Sequence, residues 1–531
     1  MMKNTPQRDG LRLKAMQVWL LLAVCVVGFL CGCQRGSGVE DEAAISAFGA
    51  YVHQLDTPQM ARAMALLLRE DTSGWKADKT VRQHYADTAR YAEAPLWFSR
   101  LGVSADADSL LSYLRREVPQ NGLVVEAFFL SQIARDLETV HKLAFDSVGQ
   151  SINEVLPRLD FLLSKAYVRY VTGQRYGFTR PDRLLNRLDF KANSKDKEYA
   201  RLFDYEVKSP DYEETLKQLS TDERMTYLLN SEPKGLVYQE LIRCLDSTST
   251  AAERHKIAVN IERCRWQLSH PVEEGRRIVV NIAAQQLWAI SPDSVLEMRI
   301  CCGAVTNKTP LLHSEIKYMQ VNPDWIVPQN IVKSDFLHHA GDSAYFARNH
   351  YYIVDRTSGD TLSPRNVTAE ELEEGYLRVG QKGGAGNSLG RIVFRFPNDF
   401  GVYLHDTNNR GAFKRERRTL SHGCIRVEKP FELACFLLAD ADEWKLDRLR
   451  LSMDIKPESE KGEEYLEEHA DDPRPFRLIS YQEVSPRVPL YIVYFTAYPN
   501  PATGQVEMWP DLYGYDKVIS RSMFQFIINV H

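Results

Sequence analysis

From about residue 41 to residue 254, apolar positions recur at three- and four-residue spacing. Ala43–Leu55, Thr57–Arg69, Gly122–Leu137 and Asn153–Val171 each gather them on one face, which predicts amphipathic helices. Polar breaks at Asp71-Thr72-Ser73-Gly74 and Asn193-Ser194-Lys195-Asp196 separate them. Near Gly275 the pattern changes. Arg277–Ile290 and Val295–Cys302 read as strands, joined by the hairpin signal Ser291-Pro292-Asp293-Ser294, and Ile392–Phe396, Gly401–His405 and Tyr491–Tyr498 read as further strands. Gln329 to Gly390, about 60 residues dense in polar, aromatic and glycine positions, predicts a lid. Glu458–Asp472 is acidic and reads as a solvated excursion. Phe431–Leu438 predicts an apolar helix opened by Pro430, with Cys435 in the core. The fold class expected is α+β. A helical region spans 41–258, a mainly-β domain 259–450 with the lid at 329–390 inside it, the acidic excursion 451–488, and a closing strand and tail 489–531.

Composition narrows the class. At 531 residues the chain is long enough for two to four domains. With 44% hydrophobic and 26% charged residues it is globular rather than collagen-like or disordered. Sixty-six basic against 71 acidic residues leave −5, a balance that offers no electrostatic case for nucleic-acid binding, which wants a basic domain or stripe.

The first 33 residues address the chain. Lys3, Arg8, Arg12 and Lys14 precede an apolar run from Met16 to Leu30, short for a membrane span. The run ends in Leu30-Cys31-Gly32-Cys33, which resembles a bacterial lipoprotein signal with Cys33 as the lipidated residue; the alternative is an uncleaved signal anchor. Both readings export the chain, tether it to a membrane and place its body facing the periplasm. Of nine cysteines, Cys25, Cys31 and Cys33 lie in this segment. The six others, Cys244, Cys264, Cys301, Cys302, Cys424 and Cys435, are too dilute for a disulfide scaffold and lack the spacing of a zinc site. A Cys244–Cys264 bridge is possible. Cys301 and Cys302 adjoin in a strand, so opposite faces are expected, with one of them in the core.

Candidate chemistry concentrates in Val402–Arg410 and Ser421–Val427. An exposed cysteine between glycine and isoleucine in an exported protein invites reaction. A free thiol, with a pKa of about 8.5, is only a few per cent thiolate at neutral pH, so it needs an imidazole to take its proton and return it to a leaving amine. His405 at a strand end and His422 in the turn are the candidates, and the backbone N–H groups of His422, Gly423 and Cys424 can converge as an oxyanion hole. The bland alternative makes Cys424 a buried small hydrophobe and His422 a turn residue. A zinc site from His405, His422, Cys424 and Cys435 has poor spacing.

Histidine, 15 intervening residues, then Ser421-His422-Gly423-Cys424-Ile425-Arg426 resembles the active-site signature of the YkuD-type L,D-transpeptidases. Val259–Trp266, Val279–Ala283, Asn322–Pro328, Gln381–Gly390, Phe396–Asn398, Tyr403–Thr407, Val493–Ala497 and Pro510–Asp516 resemble segments of the large, YcbB-like branch, in order. Ala94–Trp97 and Asn121–Leu123 are similar to pieces of its helical scaffold. The resemblance implies a metal-free and cofactor-free peptidoglycan cross-linking enzyme of cell-wall and cell-shape maintenance. It takes D-Ala off a tetrapeptide stem through a cysteine thioester and passes the acyl group to a second stem, making a 3→3 cross-link. Carried over, Cys424 is the nucleophile and His405 the base, oriented by the main-chain carbonyl of Asp406. His422, Gly423 and Cys424 hold the oxyanion. Arg426 and Ser421 bind substrate, with Tyr403 and Asn387 as pocket walls. Carbapenem β-lactams are then expected to acylate Cys424. The peptidoglycan-binding module common in relatives has no counterpart between Phe190 and Val259.

Two features stay open. Arg410, Lys414, Arg415, Arg417 and Arg418 form either an attractive surface for stem carboxylates or a solvated loop; His338, His339 and His350 in the lid read as surface residues. Two other functions compete with the transpeptidase. One is a thiol-dependent L,D-carboxypeptidase, in which water resolves the thioester. The other is a non-enzymatic envelope scaffold.

Overall fold

The structure is a computed structural model that describes residues 48–527 apart from 50, 52–53, 88–90, 92–93, 191–197 and 273–274. The targeting segment with Cys33 and most of the expected helix Ala43–Leu55 lie outside the described residues. The chain divides into two compact units. Of the described residues, one gathers those up to 117, 128–171 and 212–230; the other gathers those in 118–127, 172–211 and from 231 onward. Residues 231–258, on the helical side of the boundary expected at 258, pack with the β-rich unit.

The first unit is helical. Thr57–Glu70 starts where the Asp56 side chain accepts the Gln59 N–H, satisfying one of the orphan donors of a helix start. Within it, residues 152–171 of the long helix Ile152–Tyr176 are mostly buried. On it, buried Asp160 accepts hydrogen bonds from the Tyr85 hydroxyl and the Trp97 N–H, both at 2.7 Å, and the Trp97 indole donates to Ser164 at 2.9 Å. This explains the Ala94–Trp97 motif: its tryptophan is a fully buried anchor for this helix. Burial pushes the Asp160 carboxyl up to about 6.

The second unit is built on one sheet. Its strands are β1 (Arg277–Asn281), β2 (Gln286–Ile290), β3 (Val295–Gly303), β4 (Leu312–Val321), β5 (Ile392–Arg395), β6 (Leu404–His405), β7 (Thr419–Ser421), β8 (Ile425–Val427) and β9 (Tyr481–Val493). Their order is β7-β3-β8-β6-β5-β4-β9-β1-β2, and β2 pairs again with β3, so the sheet closes on itself. Pairing is antiparallel except for β6–β8, β7–β3 and β9–β1.

Several expectations are corrected here. Arg277–Ile290 is two strands, reversed at Ile282–Gln285, with Gln285 in the left-handed region at φ 55°. No glycine or proline announced that turn. Tertiary bonds hold it instead: Gln285 accepts the Ile300 N–H on its carbonyl at 2.9 Å and the Arg418 N–H on its side chain. Both Cys301 and Cys302 are buried, because this end of β3 is covered on both faces, and Cys244 and Cys264 are free thiols. Cys435 is half-buried on the helix Pro430–Leu437 rather than in the core. The acidic stretch is not a simple excursion. Glu460–Glu468 is a helix capped by Ser459, Phe476 and Ile479 are buried, and the closing strand already begins at Tyr481.

The lid is a folded subdomain. Its four antiparallel strands, in the order 325–326, 377–381, 351–355 and 361–362, flank a core that includes Val332, Phe336, Phe346, Ile353 and Leu372. The aromatic density of the segment is that core.

Two buried asparagines, one on the helix before the sheet and one ending β1, hold the chain that follows β9. Asn260, on the helix Ala251–Arg265, donates to Thr496 Oγ1 at 2.7 Å and accepts the Thr496 N–H at 2.9 Å. Asn281, ending β1, donates to the Phe495 carbonyl at 2.9 Å and accepts the Phe495 N–H at 3.0 Å. Each amide acts as a surrogate backbone partner where β9 has ended. Asn260→Ala leaves the buried Thr496 N–H unpaired and is expected to lower unfolding stability by about 2–3 kcal/mol, as a lower midpoint in urea unfolding.

Candidate active site

β6 and β8 place the chemistry. They are parallel, with Leu404 opposite Ile425 and His405 opposite Arg426. The Ile425 N–H donates to the Tyr403 carbonyl at 3.0 Å, which extends the register by one residue. Side chains alternate along a strand, so Tyr403 and His405 share a face with Cys424 and Arg426. All four line one cavity of about 510 Å³. The lid supplies Asn330, Ile331, Asp335, Phe336, Tyr345 and Tyr351 to its walls. Phe400, Gly401 and Val402 close another side.

The strand expected from Gly401 is only two residues long, because the Asn398 side chain takes over the backbone before it. Its carbonyl oxygen accepts the Phe400 and Val402 N–H groups at 3.0 and 3.2 Å, and its amide donates to the Phe396 and Val402 carbonyls at 3.0 and 2.9 Å. This frees Phe400–Val402 to form a wall of the cavity.

Electrostatics make the pair neutral at rest. Burial, with the Arg426 guanidinium adding to it, brings His405 down to about 3, against the opposing pull of the main chain at Asp406 and Leu389. Burial pushes the Cys424 thiol up, and the Tyr403 backbone and hydroxyl only partly counter this. A neutral imidazole is able to accept a proton and a thiol has one to give, so the arrangement suits proton transfer coupled to attack.

The structure assigns the remaining expected residues different tasks. Asp406 is buried. Its carboxylate accepts the Arg391 N–H at 2.8 Å and pairs with Arg410 at 3.0 Å, while buried His405 Nδ1 lacks a well-formed hydrogen bond. The Asp406 main chain nevertheless pulls the imidazole toward its protonated form, the direction expected of a carbonyl that orients it. A Cβ on Gly390 would lie 2.4 Å from the Asp406 carboxyl carbon, which explains the glycine ending the Gln381–Gly390 motif. Asn387 is not a pocket wall. It is 1% exposed, with its amide spent inside its own loop, on the Lys382 carbonyl at 2.9 Å and the Leu389 N–H at 2.7 Å; Ser388 and Leu389 reach the cavity instead. Ser421 borders the cavity, yet its hydroxyl accepts the Gly423 N–H at 3.1 Å and donates to the Cys424 carbonyl at 2.5 Å. Ser421 therefore builds the turn, and the Gly423 N–H is withdrawn from the expected oxyanion hole. His422 is exposed at the rim, 3.8 Å from the lid carboxylate of Asp335. Of the basic loop, Arg410 and Arg418 are braces, Arg418 donating to the Ile300 and Gln285 carbonyls at 3.0 Å each. None of the five lines the cavity.

Sequence reading missed Asp335, Tyr345 and Tyr351 as cavity residues. Their approach depends on how the lid folds. Trp325, another wall, sat inside a recognised motif without a role.

Residues 275–443 match the family model of the L,D-transpeptidase catalytic domain, YkuD, and residues 79–245 match that of the Scaffold domain. The chain thus carries a YkuD L,D-transpeptidase catalytic domain behind a Scaffold domain, a YcbB-like architecture. A Haemophilus influenzae protein named "Putative L,D-transpeptidase" is 28% identical over 368 residues, 67% of this chain and 69% of that protein.

The His405–Cys424 pair carries a pH signature. Folding depresses the His405 pKa from 6.5 to about 3, so between those values the unfolded chain binds the extra proton. The stability carried by neutral His405 is complete above pH 6.5 and is lost as pH falls, by on the order of 3 kcal/mol at pH 4. His405→Gln is expected to flatten that part of the profile, read as melting temperature against pH from 7 to 4. Cys424 alkylation by iodoacetamide is expected to rise with pH above the ordinary thiol range, with no reactive plateau near pH 6.

Proposed function

We propose that this chain forms 3→3 peptidoglycan cross-links through a thioester on Cys424. One observation supports this above the others: Cys424 and His405 share a face of adjacent parallel strands within a lid-covered cavity. The Cys424 sulfur attacks the carbonyl carbon between the third stem residue and its terminal D-Ala, while His405 takes the thiol proton. Collapse of the tetrahedral intermediate breaks the amide. His405 returns the proton to the departing D-Ala amine, leaving a thioester. The amine of a second stem's third residue then attacks the thioester carbon, gives its proton to His405, and displaces the sulfur, which recovers that proton. Atoms balance without an external energy source, because the broken amide is replaced by another.

Arg426, on the same face and lining the cavity, suits a carboxylate of the stem peptide. On this reading carbapenems acylate Cys424 by the first half of the same path. The N-terminal segment exports the chain and tethers it, through Cys33 or as a signal anchor. Among the described residues, no helix is long and apolar enough to cross a membrane.

The test incubates the full chain and its Cys424→Ala variant with disaccharide-tetrapeptide and reads products by mass spectrometry. Dimers with free D-Ala, formed only with Cys424, are the expected result. Trimmed tripeptide without dimers would establish the carboxypeptidase instead, and intact substrate with both proteins would sink the proposal.

A further inference from the structure

The turn that carries the nucleophile is fixed from beneath by residues outside the cavity. Thr309 is fully buried and is not among the cavity walls. Its hydroxyl donates to the Gly423 carbonyl at 2.8 Å and accepts the Gly303 N–H at 2.9 Å. With one acceptor and one donor engaged, the direction of that hydroxyl proton is set. Tyr513, also buried, donates its hydroxyl to the Gly303 carbonyl at 2.6 Å and accepts the Thr309 N–H at 3.2 Å. Burial pushes the Tyr513 phenol further up, so it stays a donor at any ordinary pH. Gly303 admits no side chain, since a Cβ there would lie 2.1 Å from the Asn307 carbonyl oxygen. The four groups form one closed hydrogen-bonded set at the end of β3.

The consequence for Cys424 is geometric. A trans peptide points its C=O and the following N–H in opposite directions. Holding the Gly423 carbonyl down against Thr309 therefore turns the Cys424 N–H up, away from the core and toward the cavity that Ser421, His422 and Cys424 border. Gly423 reaches this orientation at φ 117°, which a side chain would strain. Its own N–H is spent on Ser421, and among the described residues the N–H groups of His422 and Cys424 carry no hydrogen bond. The oxyanion must then rely on donors whose aim is decided by that one peptide plane.

We infer that Thr309, held by Tyr513 and Gly303, is a positioning residue that aims the Cys424 N–H at the oxyanion of the acylation step. This rests on Cys424 being the nucleophile of the proposed function. It does not depend on which acceptor resolves the thioester.

The test uses p-nitrophenyl acetate as well as the stem peptide. Cys424 attacks the ester carbonyl, His405 takes the thiol proton, and the tetrahedral oxyanion collapses to an acetyl thioester and p-nitrophenol. The burst of p-nitrophenolate and the acetyl mass on Cys424 report that step alone. Thr309→Val, which keeps shape and removes the hydroxyl, is expected to slow the burst about 10- to 100-fold. KM for the stem peptide should change less than about 3-fold. Thr309→Ser is expected to restore the burst to within about 3-fold, and Tyr513→Phe to give an intermediate loss. Iodoacetamide alkylation of Cys424 passes through no oxyanion, so its rate should stay within about 2-fold in all three variants.

An undiminished burst in Thr309→Val would overturn the inference. So would an equal fall in burst and alkylation, which means that the turn has merely collapsed. Absence of any Cys424-dependent burst in the unaltered chain would overturn it as well. A normal burst without cross-linked product would instead defeat the proposed function and leave this inference standing.

Discussion

The short parallel ladder between Leu404–His405 and Ile425–Arg426 is the constraint on which the site depends. Parallel neighbours at matched register point the same way, so this ladder alone puts His405, Cys424, Tyr403 and Arg426 on one face. Two residues of ladder would be weak in isolation. They hold here because β6 and β8 are interior members of a sheet that closes on itself, flanked by β5 and β3. The precision of the site comes from the sheet, and the loops around it are free to shape the cavity.

Around that ladder, polar side chains do work that regular secondary structure cannot. Asn398 takes four backbone groups before β6, Ser421 closes the turn before Cys424, and Gln285 with Arg418 ties the intervening loop to β3. Asn260 and Asn281 serve the chain beyond β9 in the same way. Buried backbone groups must be paired, and wherever the chain leaves the ladder a side chain supplies the partner. Removing one such residue leaves its partner stranded, which makes these positions costly out of proportion to their size.

Burial also sets the protonation of the resting site. Enclosure disfavours charge, so the imidazole is neutral and the thiol is protonated. The cavity is thus quiet until a carbonyl arrives, and the charge that then develops needs donors already aimed at it. The lid approaches the nucleophile's turn through Asp335 and His422, at the rim rather than at the reacting atoms.

The residues by themselves determined the broad architecture, the order of the segments that build the cavity and the candidate histidine–cysteine pair. Helical periodicity marks the first half, and a histidine and a cysteine at fixed spacing require no packing to be noticed. Where a segment serves its own backbone, as the helix at Thr57–Glu70 does with its capping aspartate, the local pattern was enough. Only the tertiary structure decided what Asn387, Ser421 and Gly423 do. An asparagine beside an active-site motif looks the same in sequence whether it faces substrate or braces its own loop. The turn at Gln285 is equally silent, since its left-handed backbone is held by Ile300 and Arg418, distant in the chain. Thr309 lay in no motif, and Tyr513 sat inside the Pro510–Asp516 motif without a role. Their part depends on a peptide plane that exists only once β3, the nucleophile turn and the C-terminal segment meet.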